Sequence, residues 1–341
     1  MTSELIRIWN QLKEKEKNEI FSETAAKWKL PPAAIEKDWW VVRTLDLVFQ
    51  TEIASHTVFK GGTSLSKAWA LIDRFSEDID LALDRKFLGF EKADGEMSGS
   101  QVAKLRKISC KYLSEKYLPE LEKTFHQAGF IELKFQLSEI RSPDEDPVKI
   151  EVGYPSVTEK SPYLPARVLM EIGSRSEREP FTETKFSSFV GELFKGRNFA
   201  DNQITIPTVN PERTFLEKIF LLHEEFQQPA DKIKVDRQSR HLYDLEKLMD
   251  TEFGKKALAD KDLYHHIVEH RRKITPLRGI DYANHAPEKI NPIPPDNMIA
   301  AWKKDYEQMQ QGMIYRDSLL FDKLIVRITE LKNRINKINH G

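Results

Sequence analysis

The chain opens with apolar residues at the three- and four-residue spacing of amphipathic helices. The first such stripe consists of Leu5, Ile8, Trp9 and Leu12. A second stripe follows the break at Pro31-Pro32 and consists of Ile35, Trp39, Val42 and Leu45. Because residues at this spacing lie on one face of a helix, residues 1 to about 50 are predicted to be helical. Trp39 and Trp40 are interpreted as core residues rather than as platforms for stacking bases.

Beyond this region, short β-branched runs alternate with helical patterns. Strands are predicted at residues 57–59, 79–83, 131–137, 148–152, 168–172 and 204–209, and helices at residues 64–73 and 98–125. From residue 210 to about His340 the pattern is helical, apart from a loop with proline and glycine near residues 274–295. The chain is therefore predicted to be an α+β protein. A mixed-sheet lobe with flanking helices would occupy residues 1–200, and a mostly α-helical lobe residues 201–341.

Composition narrows the class of protein. The 53 basic and 54 acidic side chains nearly cancel, so any contact with a polyanion must come from a local patch. The single cysteine, Cys110, excludes an intramolecular disulfide framework and fits a reducing compartment. The N-terminal sequence lacks the apolar run of a signal peptide, and no stretch approaches the roughly 20 apolar residues of a membrane span. A soluble cytoplasmic protein without a membrane partner is expected.

A pair of glycines separates the first predicted strand from the helix that follows. Gly61 and Gly62 come directly before the first turn of that helix, which also carries Ser64. Glycines let the backbone approach a phosphate closely, and a helix start points N–H groups at such a ligand. Gly61, Gly62 and Ser64 are therefore candidate nucleotide-binding residues. The alternative is an ordinary turn without a ligand.

Two aspartates, Asp78 and Asp80, lie two residues apart at the start of the next strand. Strand side chains alternate between faces, so both carboxylates would project to one side while Ile79 and Leu81 enter the core. Adjacent carboxylates repel each other unless a cation lies between them, and their oxygens suit Mg²⁺ or Mn²⁺. Such ions neutralise phosphate charge in phosphoryl transfer. The alternative is an exposed acidic strand end, but the glycine turn upstream favours a metal-dependent catalytic site.

Together these motifs resemble those of the polymerase-β-like nucleotidyltransferase superfamily. At finer detail, the chain is similar to the AbiEii/AbiGii-type nucleotidyltransferase toxins. The similar segments are EKDWW at 36–40, FKGGTSL at 59–65 and FSEDIDL at 75–81. The likeness continues into residues 211–245, so that it spans most of residues 35–250. It implies an enzyme that moves a nucleoside monophosphate from a nucleoside triphosphate to an acceptor hydroxyl, with Asp78 and Asp80 holding Mg²⁺ or Mn²⁺.

The resemblance also implies partners. The acceptor would be RNA, such as a tRNA 3′ end. The protein would be the toxin of a toxin–antitoxin or phage-defence pair, and its partner would be a separately encoded antitoxin. Two alternatives stay open. The acceptor could be a protein side chain or a small molecule, as in other members of the superfamily. The chain could also be a module that binds a nucleotide or a partner without turnover.

The superfamily commonly places a third carboxylate on a neighbouring strand, and two residues are candidates. Glu151 lies in the strand predicted at residues 148–152, and Glu171 in the strand predicted at residues 168–172. Glu151 is preferred as the third catalytic carboxylate, because its strand follows the helix–strand unit that would place it beside the two aspartates. For either glutamate, the alternative is an ordinary surface residue on a half-buried sheet.

The second half of the chain supplies further candidates. Asn210-Pro211 starts an apolar helix that carries Lys218, and a later segment is predicted to be a helix with one polar stripe. That stripe consists of Arg237, Arg240, His241 and Asp244. The resemblance implies that Lys218 binds nucleotide and that Asp244 serves catalysis or holds the site together; the alternative is an internal Lys–Asp ion pair. Arg237 and Arg240 would attract the triphosphate.

His265-His266 and His270 lack partner cysteines or histidines at zinc spacing, so no zinc site is predicted. The basic run at residues 270–273 is interpreted as a solvated helix end rather than an RNA contact. The active site is expected in the cleft between the two lobes.

Overall fold

A mixed β-sheet organises the first part of the chain in the computed structural model, which describes residues 4–92, 96–139, 142–159 and 164–338. Within these ranges the sheet has seven strands in the order β3-β4-β5-β2-β1-β7-β6. The strands are β1 (Thr57–Lys60), β2 (Asp78–Leu83), β3 (Lys134–Leu137), β4 (Val148–Gly153), β5 (Arg167–Gly173), β6 (Phe181–Phe186) and β7 (Ile204–Val209). The α+β class predicted from the sequence is confirmed.

Strand β2 lies near the middle of the sheet, between β1 and β5. It pairs antiparallel with β1 and parallel with β5, and β4 lies on the far side of β5. In this register Asp80 is opposite Lys60 on one side and opposite Glu171 on the other. Directly opposite residues project from the same face of a sheet. The pairing therefore determines which charged side chains surround Asp80.

Helices make up most of the remaining described structure. They are α1 (Glu4–Gln11), α2 (Glu14–Trp28), α3 (Pro32–Val48), α4 (Gly61–Thr63), α5 (Gly99–Tyr112), α6 (Leu118–Ala128), α7 (Phe189–Leu193), α8 (Pro211–Glu225), α9 (Arg240–Leu248), α10 (Glu252–Ala259), α11 (Lys261–Lys273), α12 (Ile299–Gly312) and α13 (Phe321–Ile335). Short turns of π-helix follow α4 at Ser64–Ala68 and α5 at Leu113–Tyr117. None of the described helices has the length and apolar character needed to cross a membrane.

The chain divides into two compact units. The first comprises Met1–Trp69, Phe75–Glu91 and Ser100–Val209, and the second comprises Ala70–Arg74, Lys92–Gly99 and Asn210–Gly341. The change from sheet to helices thus follows β7, whereas the sequence analysis divides the chain at residue 200. The predicted cleft between lobes stays a prediction, and the predicted helix end near His340 lies outside the described residues.

The amphipathic patterns of the N-terminal region predict the core well. The apolar stripe of α3 is buried throughout, and Trp39 is fully inaccessible to solvent. Trp9 stacks on Trp39 with ring centres 4.3 Å apart, and Trp40 stacks on Tyr154 at 5.2 Å. The interpretation of Trp39 and Trp40 as core residues is confirmed.

The structure departs from the predicted elements at α4 and at β6. The helix predicted at residues 64–73 begins earlier, at Gly61, and its helical turns end at Ala68, before Ala70 adopts a φ of +51°. Strand β6 was not predicted. It pairs only with β7 at one edge of the sheet, and two of its six side chains are buried. An edge strand with so few buried residues lacks the apolar alternation by which strands are detected in sequences.

Candidate active site

The glycine turn and the aspartate strand meet at Gly61. This residue has a φ of +81°, a backbone conformation that side-chain-bearing residues rarely adopt. A β-carbon at Gly61 would lie 2.0 Å from the Asp80 Oδ2 atom, so any other residue would require Asp80 or the turn to shift. Asp80 therefore directs its carboxylate against the turn that the sequence analysis assigned to phosphate binding.

Hydroxyl groups fix the turn in place. The Ser64 side chain is fully buried, and its Oγ donates to the Gly61 carbonyl oxygen at 2.9 Å. The Thr63 Oγ1 donates to the backbone oxygen of Asp78 at 2.5 Å, which ties the turn to β2. Gly62, which lies between Gly61 and Thr63 in the turn, is half-buried. Ser64 thus has a structural bond within the turn, and its contact with a phosphate stays a prediction.

Asp78 and Asp80 project from the same face of β2. Both are half-buried, whereas Ile79 and Leu81, which alternate with them, are at most 1% exposed. The predicted alternation of the strand is therefore confirmed. Two carboxylates on one face give hard oxygen donors for a divalent cation.

A row of four charged residues crosses the sheet at Asp80. From β1 to β4 it consists of Lys60, Asp80, Glu171 and Lys149, each opposite the next in the strand register. We call these four residues the charged row. The Lys149 Nζ lies 2.6 Å from Glu171 Oε1, and Lys60 Nζ donates to Ser176 Oγ at 3.4 Å. Two anions in the middle of the row are thus flanked by a cation on either side.

Glu151 lies farther from the aspartates than the sequence analysis expected. That expectation placed β4 beside β2, but β5 lies between them, so the argument for Glu151 from strand position is wrong. Glu151 is opposite Leu169, and it accepts hydrogen bonds from Gln136 and Ser138 at 2.9 Å each. Glu171, on the strand next to β2, occupies the position opposite Asp80.

The charge state of Glu151 follows from these contacts. Burial opposes its ionisation, but hydrogen bonds from Gln136, Arg167 and Ser138 outweigh burial and hold the pKa of Glu151 below its ordinary value. The Arg167 Nη1 lies 2.5 Å from Glu151 Oε1. A carboxylate with a depressed pKa and three donors is a weak proton acceptor.

The donor set at β2 fits a divalent metal ion. Mg²⁺ in phosphoryl-transfer sites is held by one or two carboxylates and takes its other ligands from substrate phosphates and water. Asp78 and Asp80 supply such a pair, and Asp80 Oδ2 occupies the space that a side chain on residue 61 would fill, directly against the glycine turn. Among the described residues, no three His, Cys, Asp or Glu side chains together form a metal site.

Buried ion pairs place the segment that leads into β2. Lys37, in α3, forms an ion pair with Glu77, and the two side chains are 3% and 4% exposed. Lys37 also donates to the Pro165 carbonyl oxygen at 3.1 Å. Sequence reasoning missed this role of the EKDWW segment. The signal was available, because Glu77 precedes Asp78 and falls on the face that enters the core, where a charge needs a partner.

Glu36 and Asp38, which flank Lys37 in α3, also form contacts that stabilise the fold. Glu36 accepts hydrogen bonds from the Val157 N–H at 2.8 Å and the Ser156 hydroxyl at 2.6 Å. Asp38 lies 2.9 Å from Lys67 Nζ. Burial raises the pKa of Asp38, although the Lys67 charge acts in the opposite direction. The charged residues of EKDWW therefore hold the first unit together.

In the second unit, Lys218 and Asp244 form a buried ion pair. The Lys218 Nζ lies 2.9 Å from Asp244 Oδ2 and 3.3 Å from His241 Nδ1. Arg74, which sequence reasoning missed, donates to both oxygens of Asp244 at 2.7 Å. The geometry is that of the internal Lys–Asp pair joining α8 and α9, extended by a second cation. A role in nucleotide binding or catalysis stays a prediction.

The neighbouring cations keep the Asp244 carboxyl group ionised. Burial opposes ionisation of the Asp244 carboxyl, yet the charges of Arg74 and Lys218 hold its pKa well below the usual range. Burial lowers the pKa of the Lys218 ammonium, and the Asp244 carboxylate opposes that change. Burial, and after it the Lys218 charge, also lower the pKa of His241, which favours the neutral ring.

The prediction that Arg237 belongs to the polar stripe of α9 is wrong. The helix begins at Arg240, and Arg237 lies in the preceding turn with a φ of +57°. Asp305 accepts the backbone N–H groups of Arg237 at 2.6 Å and Ser239 at 2.9 Å, so a distant carboxylate holds this segment in a turn. Arg240 and Asp244 remain together on α9, and the charge of Arg240 contributes to the lowered pKa of Lys218, after burial and Arg74.

The basic run at the end of α11 is only partly solvated. Arg271 is bound to the buried Glu224, donating from Nε to Oε1 at 2.8 Å. The interpretation as a solvated helix end is therefore wrong for this residue. Arg272 and Lys273 instead form ion pairs with Glu269 at 2.7 and 3.2 Å.

Comparison with known proteins places this arrangement among nucleotidyltransferases. Residues 46–327 match the family model described as nucleotidyl transferase AbiEii toxin, type IV toxin–antitoxin system. The chain is also similar to the solved structure of MenT4, a nucleotidyltransferase toxin from Mycobacterium tuberculosis H37Rv. The TM-score is 0.53 at 16% identity, with 95% of this chain and 90% of that chain covered. At that identity the likeness shows the fold alone. No curated protein matches the chain.

Proposed function

Because the chain belongs to the AbiEii nucleotidyltransferase toxin family of type IV toxin–antitoxin systems, we propose that it nucleotidylates RNA with the help of Mg²⁺ or Mn²⁺. The acceptor we favour is a tRNA 3′ end. One observation carries the proposal most directly. The Asp80 carboxylate meets the side-chain-free Gly61, and Asp78 projects from the same face of β2.

The reaction is a substitution at phosphorus. The acceptor hydroxyl oxygen forms a bond to the α-phosphorus of a nucleoside triphosphate, the bond from that phosphorus to the β-bridging oxygen breaks, and pyrophosphate leaves with the electron pair. A divalent ion held by Asp78 and Asp80 would neutralise phosphate charge. We assign the triphosphate to the backbone of Gly61 and Gly62, with Ser64 keeping that turn closed through its bond to Gly61.

We assign the acceptor proton to Glu171 instead of Glu151. Glu171 lies opposite Asp80 in the adjacent strand, whereas Glu151 lies one strand farther away. Its partner Lys149 is 42% exposed at the side chain, so this ion pair can exchange partners with little loss of stability. The carboxylate of Glu151 is occupied by three donors, which makes it the poorer base.

For the second unit we propose a supporting role toward the nucleotide. The family resemblance assigns Lys218 to nucleotide binding, and Asp244 holds its ammonium at 2.9 Å. By opposing the effect of burial on the pKa of Lys218, Asp244 helps that residue keep the charge that would attract a phosphate. Arg240, and more weakly Arg237, are proposed to add to this positive field.

The biological setting follows from the family. We propose that the protein is the toxin of a pair whose antitoxin is separately encoded, and that it acts in the cytoplasm. The single cysteine, which is free and buried, supports a reducing compartment. A part in phage defence is a further proposal, supported only by the resemblance to the AbiEii/AbiGii-type toxins.

Incubation with each α-labelled nucleoside triphosphate, total RNA and Mg²⁺ tests the proposal. The wild type should label RNA, and Asp80→Asn should reduce the rate by about 10³-fold or more if the carboxylate supports catalysis as proposed. Asp84→Asn is the matched control, because Asp84 follows the other end of β2 and pairs with Arg178 at 2.9 Å. This control should label RNA at nearly the wild-type rate.

The outcomes separate the alternatives. Label found only in protein or in a small molecule would replace the RNA acceptor but retain nucleotidyl transfer. Equal labelling by wild type and Asp80→Asn would refute the assigned site. Inhibition of growth by both proteins, with no labelling by either, would indicate a binding module.

A further inference from the structure

The two faces of the sheet differ in exposure at β4 and β5. One face is apolar, and its side chains are at most 1% exposed: Val148, Ile150, Val152, Val168, Met170 and Ile172. The other face is the one that carries Asp78 and Asp80, because residues opposite them in the register project to the same side. We give the name open face to five half-buried or exposed residues on that side: Lys134, Lys149, Arg167, Leu169 and Glu171.

Leu169 is the apolar member of the open face. It is half-buried, and in the register it lies opposite Asp78 on one side and opposite Glu151 on the other. Along β5 its neighbours on the same face are Arg167 and Glu171, each about 6.6 Å away. An apolar side chain in such a position gains free energy when a ligand removes it from water. Leu169 is therefore placed to bind the apolar surface of a group that reacts beside Asp78 and Glu171.

The geometry of the reaction decides which substrate lies on this side. The attacking and leaving oxygens of phosphoryl transfer lie roughly in line across the phosphorus. The glycine turn, to which we assign the triphosphate, meets Asp80 from the side of β1. Pyrophosphate thus leaves toward β1, and the acceptor hydroxyl approaches from the side of β5. Leu169 and Glu171 both lie on the side of the acceptor.

We propose that Leu169 binds the base of the acceptor's terminal nucleotide. The inference rests on the proposed nucleotidyl transfer to RNA, in which Glu171 takes the proton of the acceptor hydroxyl. A nucleotide whose hydroxyl meets Glu171 lays its base over Leu169, two residues back along the same face. Because every base has an apolar ring face, a leucine provides this contact without selecting one base.

Two cations lie where the RNA backbone would continue from Leu169. Arg167 is opposite Gly153, and Gly153 is opposite Lys134, so the two cations flank a position that has no side chain. Lys134 is exposed, and the Arg167 side chain is 42% exposed although it pairs with Glu151. Both cations are therefore accessible to a phosphate. Phosphate contacts fix a nucleic acid in place without reading its sequence.

A double-mutant cycle between Leu169 and the terminal base tests the inference. The probes are an RNA hairpin with an ordinary 3′ nucleotide and the same hairpin with a 3′ abasic ribose, which keeps its hydroxyl groups. With the wild type, removal of the base should raise the Kd, measured by fluorescence anisotropy, about fivefold or more, because the exposed part of Leu169 is no longer covered. With Leu169→Ser the same removal should change the Kd by less than about twofold.

Two further variants control for the substitution. Leu169→Met keeps an apolar side chain of similar volume and should preserve the full effect of the base. Leu137→Ser makes the same chemical change on the other face of the sheet, where the half-buried Leu137 lies opposite Ile150, and it should also preserve the effect. Thermal melting of each variant shows that binding is measured on folded protein. Labelling of the ordinary hairpin by α-labelled nucleoside triphosphates is measured in parallel.

Binding of the base and transfer of the nucleotide can fail independently in these assays. An equal effect of the base in wild type and Leu169→Ser would overturn the inference, while labelled RNA in the parallel assay would retain nucleotidyl transfer. The expected coupling without labelled RNA would support the contact and refute the transfer. The absence of saturable RNA binding by the folded wild type would overturn the inference.

A second pair of probes distinguishes the acceptor's base from that of the incoming nucleotide. Each nucleoside triphosphate is compared with ribose 5′-triphosphate, which lacks the base, for binding to wild type and Leu169→Ser. The effect of this base on the Kd should be the same in both proteins. Its loss in Leu169→Ser would assign Leu169 to the incoming nucleotide and overturn the inference.

Discussion

Replacing Gly61 by alanine tests how closely the glycine turn and Asp80 fit together. Two penalties apply. A side-chain-bearing residue at a φ of +81° is strained, by about 1–2 kcal/mol. The new methyl group would also lie 2.0 Å from Asp80 Oδ2, at least 1 Å closer than the 3.0 Å that β-carbons keep from other atoms. Asp80 or the turn must therefore shift by about that distance.

The shift should be far more harmful to catalysis than to folding. Misplacing a positioned group by about 1 Å lowers rates by about 100-fold, whereas the strain lowers the melting temperature by only about 2–8 °C. Gly89→Ala is the matched control. Gly89 has nearly the same φ of +83°, but nothing lies within 4 Å of its added β-carbon.

Melting curves and rates of nucleotide transfer, measured for both variants, check the reasoning. The two proteins should lose similar thermal stability, and only Gly61→Ala should lose most of its turnover. If Gly61→Ala retains turnover within about twofold of Gly89→Ala, the contact with Asp80 has no catalytic importance. An equal loss of turnover in both variants would assign the effect to backbone strain instead.

Three further predictions concern other charged residues. Glu171→Gln should lower kcat about 100-fold and Glu151→Gln less than about threefold in steady-state assays, and equal losses would refute the choice of Glu171. Asp244→Asn removes the carboxylate that two buried cations share and should destabilise by about 3–5 kcal/mol in urea unfolding, so a change below about 1 kcal/mol would contradict the ion-pair geometry. Burial, and then the charge of a neighbouring histidine, lowers the pKa of His223 from 6.5 to about 4. As the pH falls, the His223 ring takes up a proton in the unfolded chain before it does so in the folded protein. The contribution of His223 to the free energy of unfolding, about 3 kcal/mol, is therefore complete above pH 6.5 and is lost as the pH falls to 4. His223→Gln should reduce that slope in unfolding measured against pH, with a remainder from His241, whose pKa is also lowered.

Local spacing was enough to predict that Asp78 and Asp80 share one face of β2. Alternation along a strand depends only on neighbouring residues, so Asp78 and Asp80 could be assigned to one face before any strand order was known. The glycine turn is local in the same sense. Its contact with Asp80 arises because β1 and β2 are adjacent antiparallel strands, and Lys60, the last residue before Gly61, pairs with Asp80.

Strand order could not be predicted, and the choice between Glu151 and Glu171 as the proposed third carboxylate depends on it. Strands β4 and β5 pair as antiparallel neighbours, and the sequence does not say which of them lies beside β2. The parallel pairing of β2 with β5 places Glu171 next to Asp80. Because such pairing joins distant parts of the chain, alternation within each strand fits either choice equally well.

The long-range partners of buried charges could not be predicted from the sequence either. Lys218 lies on an almost wholly buried helix and needed a counter-ion, which α9 supplies through Asp244. Arg74 reaches the same carboxylate across 170 residues of sequence, and no periodicity points to it. At Arg237 the sequence has a helical pattern, but Asp305 accepts the backbone N–H of this residue and holds the segment in a turn.

The buried pair of Lys37 and Glu77 explains why β2 presents its aspartates outward. A slip of one residue would exchange the faces of the strand and bring Asp78 and Asp80 into the core. Glu77 occupies a core-facing position, where Lys37 compensates its charge. The pair therefore stabilises the register that the burial of Ile79 and Leu81 sets, in which the two aspartates face outward.

Lys37→Met tests this argument. Loss of the Lys37 ammonium removes a counter-ion from the buried Glu77 carboxylate and should destabilise the protein by about 3–5 kcal/mol. Lys37→Met/Glu77→Leu should recover most of that loss, because an apolar pair can replace a buried ion pair at little net change in free energy. Urea unfolding measures the coupling, and the rate of nucleotide transfer reports the register. Recovered stability without recovered turnover would mean that the charge of the pair, and not only its burial, places Asp78 and Asp80. Additive losses in the two single variants and the double variant would show that the residues do not act as a pair.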